Sequence, residues 1–415
     1  MAPIWSFVTS LSKQYRVLAT SEHFAGTTSL DSAANSRQTP PSIGQILLSK
    51  RLRYIGTAIS AIGLFVLASR NYESLPSLEI LKSSYGVDAS SPEPFCPVPA
   101  VPLTVDKKNV DWSKFAYTQY VTNLSYLCNS VMIFETLFRL GSQADRVMMY
   151  PADMMHPQAT ASEATTEEAR LLIKARDSYM VKLQPVEIQR RDGMDCKSPG
   201  KQAHFHYMTT WAESFTKLLA FNQTQYERVL NVDSDSTILQ TMDELFLLPP
   251  CPVAMPKAYW LLPDSNILSS QLLLVQPSAA EFDRVMNKIA EAGSNDYDME
   301  IVNQIYIKEA MILPHRPYDL LTGEFRSGNH VKYLGTENEE WDPVYVFNEA
   351  KFLHFSDWPI PKPWIPMKEK EREEHQPKCI ENNGIEDCSD RELWNGFYTD
   401  FAQRRKVGSA LAFIV

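Results

Sequence analysis

Two aspartates one residue apart, Asp233 and Asp235, close the stretch Arg228–Asp235 (RVLNVDSD). Val229, Leu230 and Val232 are the apolar residues of a short strand that runs straight into them. Open α/β sheets bind their ligands outside the carboxyl ends of strands. Two acids there, with Ser234 between them, can hold a hard divalent ion such as Mn²⁺ or Mg²⁺ through oxygen. Such an ion usually bridges to nucleotide phosphates, so the pattern suggests a metal–diphosphate site. The competing reading is a solvated turn or helix cap, because Asp and Ser bond their own backbone.

A sheet has to position this pair, and the flanking pattern predicts one. Phe115–Val121 alternates as a strand, and Asn129–Leu140 carries Val131, Phe134, Leu137 and Phe138 on one helical face before Gly141 stops it. Arg146–Tyr150 is a strand, Glu163–Tyr179 a charged amphipathic helix and Val181–Ile188 another strand. Trp211–Ala220 reads as a helix burying Trp211, Phe215, Leu218 and Leu219, which turns Lys217 off the apolar face. Leu272–Val275 and Ala279–Ala290 add a strand and a helix. Such alternation predicts an α/β fold with a mostly parallel central sheet and helices on both faces.

The 415 residues are 44% hydrophobic and 22% charged, which is ordinary globular composition. Net charge is −10 with no basic tract, which argues against a nucleic-acid partner. Residues 1–50, rich in Ser, Thr, Ala and Gln, read as a disordered cytosolic tail. Within 51–70 lies Tyr54–Ser69, sixteen residues without a charge, with Lys50, Arg51 and Arg53 before it and Arg70 after. It is short for a membrane span, which takes ~20 residues, but snorkelling flanks make it tolerable. The basic bias predicts a type II signal-anchor with a lumenal bulk; a buried core helix is the alternative. Residues 71–110, with SPEPFCPVPAVP at Ser91–Pro102, form a Pro/Ser-rich stem, and 111–415 the lumenal catalytic domain. All six cysteines follow the anchor, as an oxidising lumen allows, and Cys379–Cys388 is the expected disulfide. Asn123 and Asn222 stand in glycosylation sequons.

Four separated blocks give the domain a family resemblance. They are Tyr120–Tyr126 (YVTNLSY); Phe215–Leu218 (FTKL); Asn231–Asp235 with Met242–Phe246 (NVDSD, MDELF); and His354–Trp364 (HFSDWPIPKPW). In this order they resemble glycosyltransferase family 8, the glycogenin-like fold, over roughly Phe115–Trp364. The resemblance implies a GT-A fold and a retaining transferase that uses a UDP-sugar and a divalent metal. Asp233, Asp235 and His354 would be the metal ligands. Thr122, Asn123 and Tyr126 would contact base and ribose, and Ser234, Ser270 and Lys362 the rest of the donor. Lys217 and Asp298 would face the reacting sugar, although Asp296 and Glu300 are close enough to confuse that assignment. Ordinary readings compete: a core histidine, solvated lysines, strand-end caps and a solvated acidic loop. Ser269 and Gln271 stand where the family has Asn and Gly, and Asp357 replaces a glycine with two extra residues before Lys362.

The wording is most similar to fungal Golgi α-1,2-N-acetylglucosaminyltransferases. That implies UDP-N-acetylglucosamine as donor, a glycan acceptor such as a mannose chain, and a Golgi membrane location. Alternatives are a UDP-glucose or UDP-galactose transferase, or a tethered carbohydrate-binding protein on a relic fold. Assembly as a homodimer is left open.

Overall fold

The computed structural model describes residues 109–190, 213–261, 266–293, 295–382 and 385–411. The expected tail and anchor, the stem up to residue 108, and Cys96, Cys196 and Trp211 lie outside these. Among the described residues no helix is long and apolar enough to cross a membrane.

Seven strands form the main sheet: β1 (Phe115–Tyr120), β2 (Asp145–Pro151), β3 (Val181–Val186), β4 (Arg228–Val232), β6 (Val253–Pro256), β7 (Leu272–Val275) and β8 (Met311–Leu313). Strand β5 (Ser236–Ile238) belongs to a smaller sheet. The order is β3–β2–β1–β4–β7–β6–β8. β1 lies parallel between β2 and β4, so Tyr117 is level with both Arg146 and Leu230. β7 runs antiparallel to both its neighbours, which makes the sheet mostly parallel with one reversed strand. The reversal matters for the site. It sets the start of β7 beside the end of β4, pairing Leu272 with Val232 and bringing residues 269–271 alongside Asp233.

Strand alternation divides the core into two layers. Phe115, Tyr117, Met148, Tyr150, Leu230 and Val232 pack with helices α1 (Leu124–Arg139) and α2 (Glu167–Tyr179). Ala116, Val147, Val229, Leu273 and Val275 pack with the 3-10 helix Ser214–Asn222, α3 (Ala279–Ala290) and α4 (Asp298–Tyr306). Each fully buried Leu, Val or Phe contributes about 1.5–3 kcal/mol, so both layers hold the sheet firmly. Helices therefore cover both faces, as expected.

Boundaries moved where caps decided them. α1 starts at Leu124, not Asn129, because Asn123 caps it, accepting from the amides of Ser125 (3.0 Å) and Tyr126 (3.3 Å). α2 starts at Glu167, not Glu163, where the Thr166 hydroxyl accepts from the Ala169 amide. β3 ends at Val186, two residues early.

A third cluster joins the small sheet β5–β10–β9 to the last helix. β9 is Leu320–Leu321, β10 is Phe352–His354 and α5 is Ser389–Leu411. Trp394, Phe397 and Phe401 of α5 are buried in it. The Cys379–Cys388 disulfide forms as expected, clasping the hairpin of β11 (Ile380–Asn382) and β12 (Ile385–Asp387) just before α5.

Candidate functional site: a carboxylate cluster at the end of β4

β4 delivers Asp233 and Asp235 to the carboxyl edge of the main sheet, where the chain bends into β5 of the smaller sheet. Two backbone bonds fix them: the Asp233 amide donates to the Gln271 carbonyl (2.9 Å), and the Asp235 carbonyl accepts from the Phe355 amide (2.9 Å). The Ser236 hydroxyl closes the turn onto the Asp233 carbonyl. β10 pairs antiparallel with β5, His354 opposite Ser236, which brings His354 to the same edge. Its Nε2 lies 3.1 Å from Asp235 Oδ1 and 3.8 Å from Asp233 Oδ2. One donor atom from each of Asp233, Asp235 and His354 falls within 4.8 Å of the others, close enough to share one ion. Two oxygens and an imidazole nitrogen suit Mn²⁺, and the oxygens suit Mg²⁺.

Two lysines flank these acids. Lys362 Nζ reaches Asp235 Oδ2 at 2.7 Å and donates to the Phe355 carbonyl at 2.7 Å. Lys217 Nζ lies 2.5 Å from Asp233 Oδ1 and 2.6 Å from Asp298 Oδ2, and donates to the Ser270 carbonyl at 3.2 Å. The Ser270 hydroxyl donates to the same Asp298 oxygen at 2.8 Å. Three carboxylates thus face two ammonium groups, a local excess of negative charge that favours a cation.

Lys217 corrects the sequence expectation. It is only 2% exposed, not turned away from the core. The segment is a 3-10 helix, three residues per turn, so counting an apolar face at 3.6 misplaces it. With period three, Ser214 and Lys217 share a face, and both meet Asp298: the Asp298 amide donates to Ser214 Oγ at 3.2 Å. The same geometry separates Asp298 from its neighbours. Asp296 accepts from the Gly293 amide (2.7 Å), and Glu300 caps α4 by accepting from the Tyr297 amide (3.0 Å). Burial pushes Glu300 up to about 7.

Burial also sets the acidities inside the cluster. It raises Asp233 to about 6, against the pull of Lys217 and with the help of Asp235 and Asp298. For Asp235 the burial effect is outweighed by His354 and Lys362, which hold it well below the usual carboxylate range. Burial would strip Lys217 of its proton, but Asp233 and Asp298 hold the ammonium well above its ordinary range. A prediction follows from Asp233. Below about pH 6 it carries a proton and cannot donate an oxygen, so Mn²⁺ affinity should fall about tenfold per unit below 6 and level off above 7. Calorimetric titration from pH 5 to 8 measures this; a flat profile would exclude Asp233 as a ligand.

The other expected residues are distributed around this core. Asn123 caps α1, as the competing reading had it, and its amide reaches Thr122 Oγ1 at 3.5 Å. Tyr126 lies edge-on to Trp364 at 5.6 Å, so the first and last blocks meet. Ser234 and Ser270 are both buried, and the Ser270 hydroxyl bonds Asp298. Ser269, in the altered loop, is fully buried. Asp357 is buried as well: Oδ1 accepts from Arg326 (2.5 Å) and Oδ2 from the Trp394 indole (2.6 Å). At this point the loop is so close to Gly323 that a Cβ there would lie 2.9 Å from the Ser356 carbonyl.

Two residues were given no role of their own by the sequence, although Tyr120 opens the first block. Tyr120, at the end of β1, stands beside Lys217, Asp233 and Asp298; burial raises its phenol well above its ordinary range, leaving a neutral donor. Its place at a strand end was the available signal. Asp319 is fully buried near Ser269 and Asp233, and burial raises its carboxyl well above the usual range. No motif marks it.

No protein-family model matches the chain. It is similar to Glucose N-acetyltransferase 1 of Gibberella zeae, 59% identical over 300 residues, covering 72% of this chain and 63% of that one. Glucose N-acetyltransferase 1 of Aspergillus fumigatus is 44% identical over 324 residues, covering 75% and 81%. The chain thus spans less than two thirds of the first relative's length. Among solved structures it overlaps the bifunctional transferase WbbM (TM-score 0.42, 12% identity, 71% of this chain and 52% of that). It also overlaps GlyE of Streptococcus pneumoniae (TM-score 0.41, 12% identity, 71% and 62%).

Proposed function

The chain belongs to the glucose N-acetyltransferase 1 family, and on that footing we propose that it is a metal-dependent, retaining glycosyltransferase. It moves N-acetylglucosamine from a UDP donor to a glycan acceptor such as a mannose chain. The observation that carries this reading is the convergence of Asp233, Asp235 and His354 on one point, flanked by Lys217 and Lys362.

Glycosyl transfer from a sugar nucleotide needs a leaving group whose charge is neutralised. Mn²⁺ or Mg²⁺ held by Asp233, Asp235 and His354 would supply that neutralisation as a Lewis acid. Lys362, already against Asp235, adds positive charge where the departing phosphate collects electrons. Lys217, with its three N–H groups held by Asp233, Asp298 and the Ser270 carbonyl, sets a fixed positive charge beside the metal ligands. Asp298 accepts from both Lys217 and Ser270 through one oxygen, so it orients these two donors. With Oδ1 of Asn123 committed to the helix cap, its side-chain amide N–H would face uridine, alongside Thr122 and Tyr126. The acceptor hydroxyl passes its proton to the departing diphosphate, so no strong protein base is needed.

The proposed setting is the Golgi lumen, behind the anchor at 51–70. The Cys379–Cys388 disulfide supports an oxidising compartment. The test is turnover of UDP-N-acetylglucosamine, UDP-glucose and UDP-galactose by the detergent-solubilised full chain with mannose oligosaccharides, with and without Mn²⁺. The first donor should be consumed fastest, and EDTA should stop it. Turnover indifferent to EDTA, or none with any donor, would overturn the reading.

A further inference from the structure

Helix α5 lies beyond the blocks that carry the family resemblance, yet it touches both walls of the candidate nucleotide cleft. On the phosphate wall, the Trp394 indole donates to Asp357 Oδ2 at 2.6 Å, and Trp394 itself is fully buried. Arg326 holds the other Asp357 oxygen. Phe355, whose amide bonds Asp235, packs edge-on against Tyr398 (5.3 Å) and Phe401 (5.0 Å) of α5. The Ile360 amide donates to the Asp357 carbonyl (2.7 Å), tying the Lys362 segment to this anchor point. On the nucleoside wall, Arg405 Nη1 donates to the Ser125 carbonyl (2.9 Å) and to Asn129 Oδ1. Arg404 adds Glu135 at 2.9 Å and the Met132 carbonyl at 3.1 Å.

Trp394 and Arg405 are eleven positions apart, about 16 Å along an α-helix. A helix is stiff over that length, so its two ends fix the distance between whatever they hold. The walls it joins, at Ser125 and Asp357, are more than 230 residues apart in sequence. The edge-on contact of Tyr126 and Trp364 also links them.

We propose that α5 is a strap that sets the width of the cleft, with Asp357 and Arg405 as positioning residues at its two ends. The strap follows from the contacts; that its width is matched to a nucleoside diphosphate rests on the function proposed above. A ligand that grips both walls depends on their spacing, whereas a metal ion bound at the β4 edge touches one wall only. This also gives the departure at Asp357 a purpose. In place of a close backbone approach by glycine, a carboxylate is turned away from the cleft and bonded to α5.

Two substitutions separate the ends: Trp394→Phe keeps a ring but removes the indole donor, and Arg405→Gln removes the guanidinium from a half-buried site. Hydrogen exchange in the full chain should quicken about tenfold at both Thr122–Tyr126 and Phe355–Trp364 in either variant. UDP·Mn²⁺ should bind about tenfold more weakly, while Mn²⁺ alone binds within twofold of the parent. Exchange that changes only beside the substituted residue would overturn the strap, as would equal loss of Mn²⁺ and UDP·Mn²⁺ affinity. Should Trp394→Phe fail to fold, Arg405→Gln alone gives the same reading, because the distant Phe355–Trp364 loop must respond. A parent that binds no UDP·Mn²⁺ would defeat the proposed function, and the exchange data would still decide the strap.

Discussion

Replacing both Asp233 and Asp235 by Asn should lower metal-dependent turnover by about 10³-fold or more while the protein stays folded. A divalent ion on a transferring phosphoryl or leaving oxygen supplies several kcal/mol, and each ~1.4 kcal/mol is tenfold in rate. Folding should survive because the partners left behind are not stranded. Lys217 keeps Asp298 at 2.6 Å, and Lys362, whose side chain is 30% exposed, can return to water. Asp233 is an acid whose charge burial already disfavours, so its loss removes an electrostatic cost as well as a contact. Donor turnover with and without Mn²⁺, paired with thermal melts, measures both halves. Activity retained in the double variant would remove the metal from the reaction altogether.

Lys217→Met should cost more stability than any exposed-charge substitution in the domain, on the order of 3–5 kcal/mol. The side chain is 2% exposed and is the ammonium shared by Asp233 and Asp298. Without it two buried carboxylates face each other, and the Asp233 pKa, already about 6, must climb further. The sign with pH follows. An acid whose folded pKa lies above its unfolded value gives stability that is lost as pH rises through the folded pKa. The deficit of the variant should therefore grow between pH 5.5 and 8. Saturating Mn²⁺ should recover part of it, since a cation at Asp233 and Asp235 replaces the missing ammonium. Urea midpoints at the two pH values, with and without Mn²⁺, read the effect. A deficit below about 1 kcal/mol at pH 8 would show that Lys217 does not compensate both acids.

Much of the site was legible as local pattern. A strand of Val, Leu and Val that ends in Asp-Ser-Asp has to place its carboxylates at the sheet edge, because strand and turn preferences act over a few residues. His354 and Lys362 were legible only through their block. Spacing gives no reason for residues more than a hundred positions from Asp233 to meet it. Lys217 shows where local reasoning fails. Its period depended on a 3-10 helix buried all round, and the packing of the segment decides that, not its apolar count. Asp298 was singled out over Asp296 and Glu300 by the family resemblance alone, because all three are acids on the same short stretch. The cap at the start of α4 uses Glu300, the Gly293 turn uses Asp296, and the buried side faces Lys217.

By itself, then, the chain determined strands β1–β4 and β7, helices α1–α3, the Asp233–Asp235 pair and the Cys379–Cys388 pairing, whereas β5, β6, β8–β12, α4 and α5 went unread. Each depends on side-chain type and short-range backbone preference. Tertiary structure alone decided that β7 runs backwards and sets Gln271 against Asp233, that Lys217 is the buried counter-ion of two acids, and that Asp357 turns from the cleft to Trp394. These are contacts between segments far apart in the chain. Their energy comes from burying charge and apolar surface together, which no local pattern encodes.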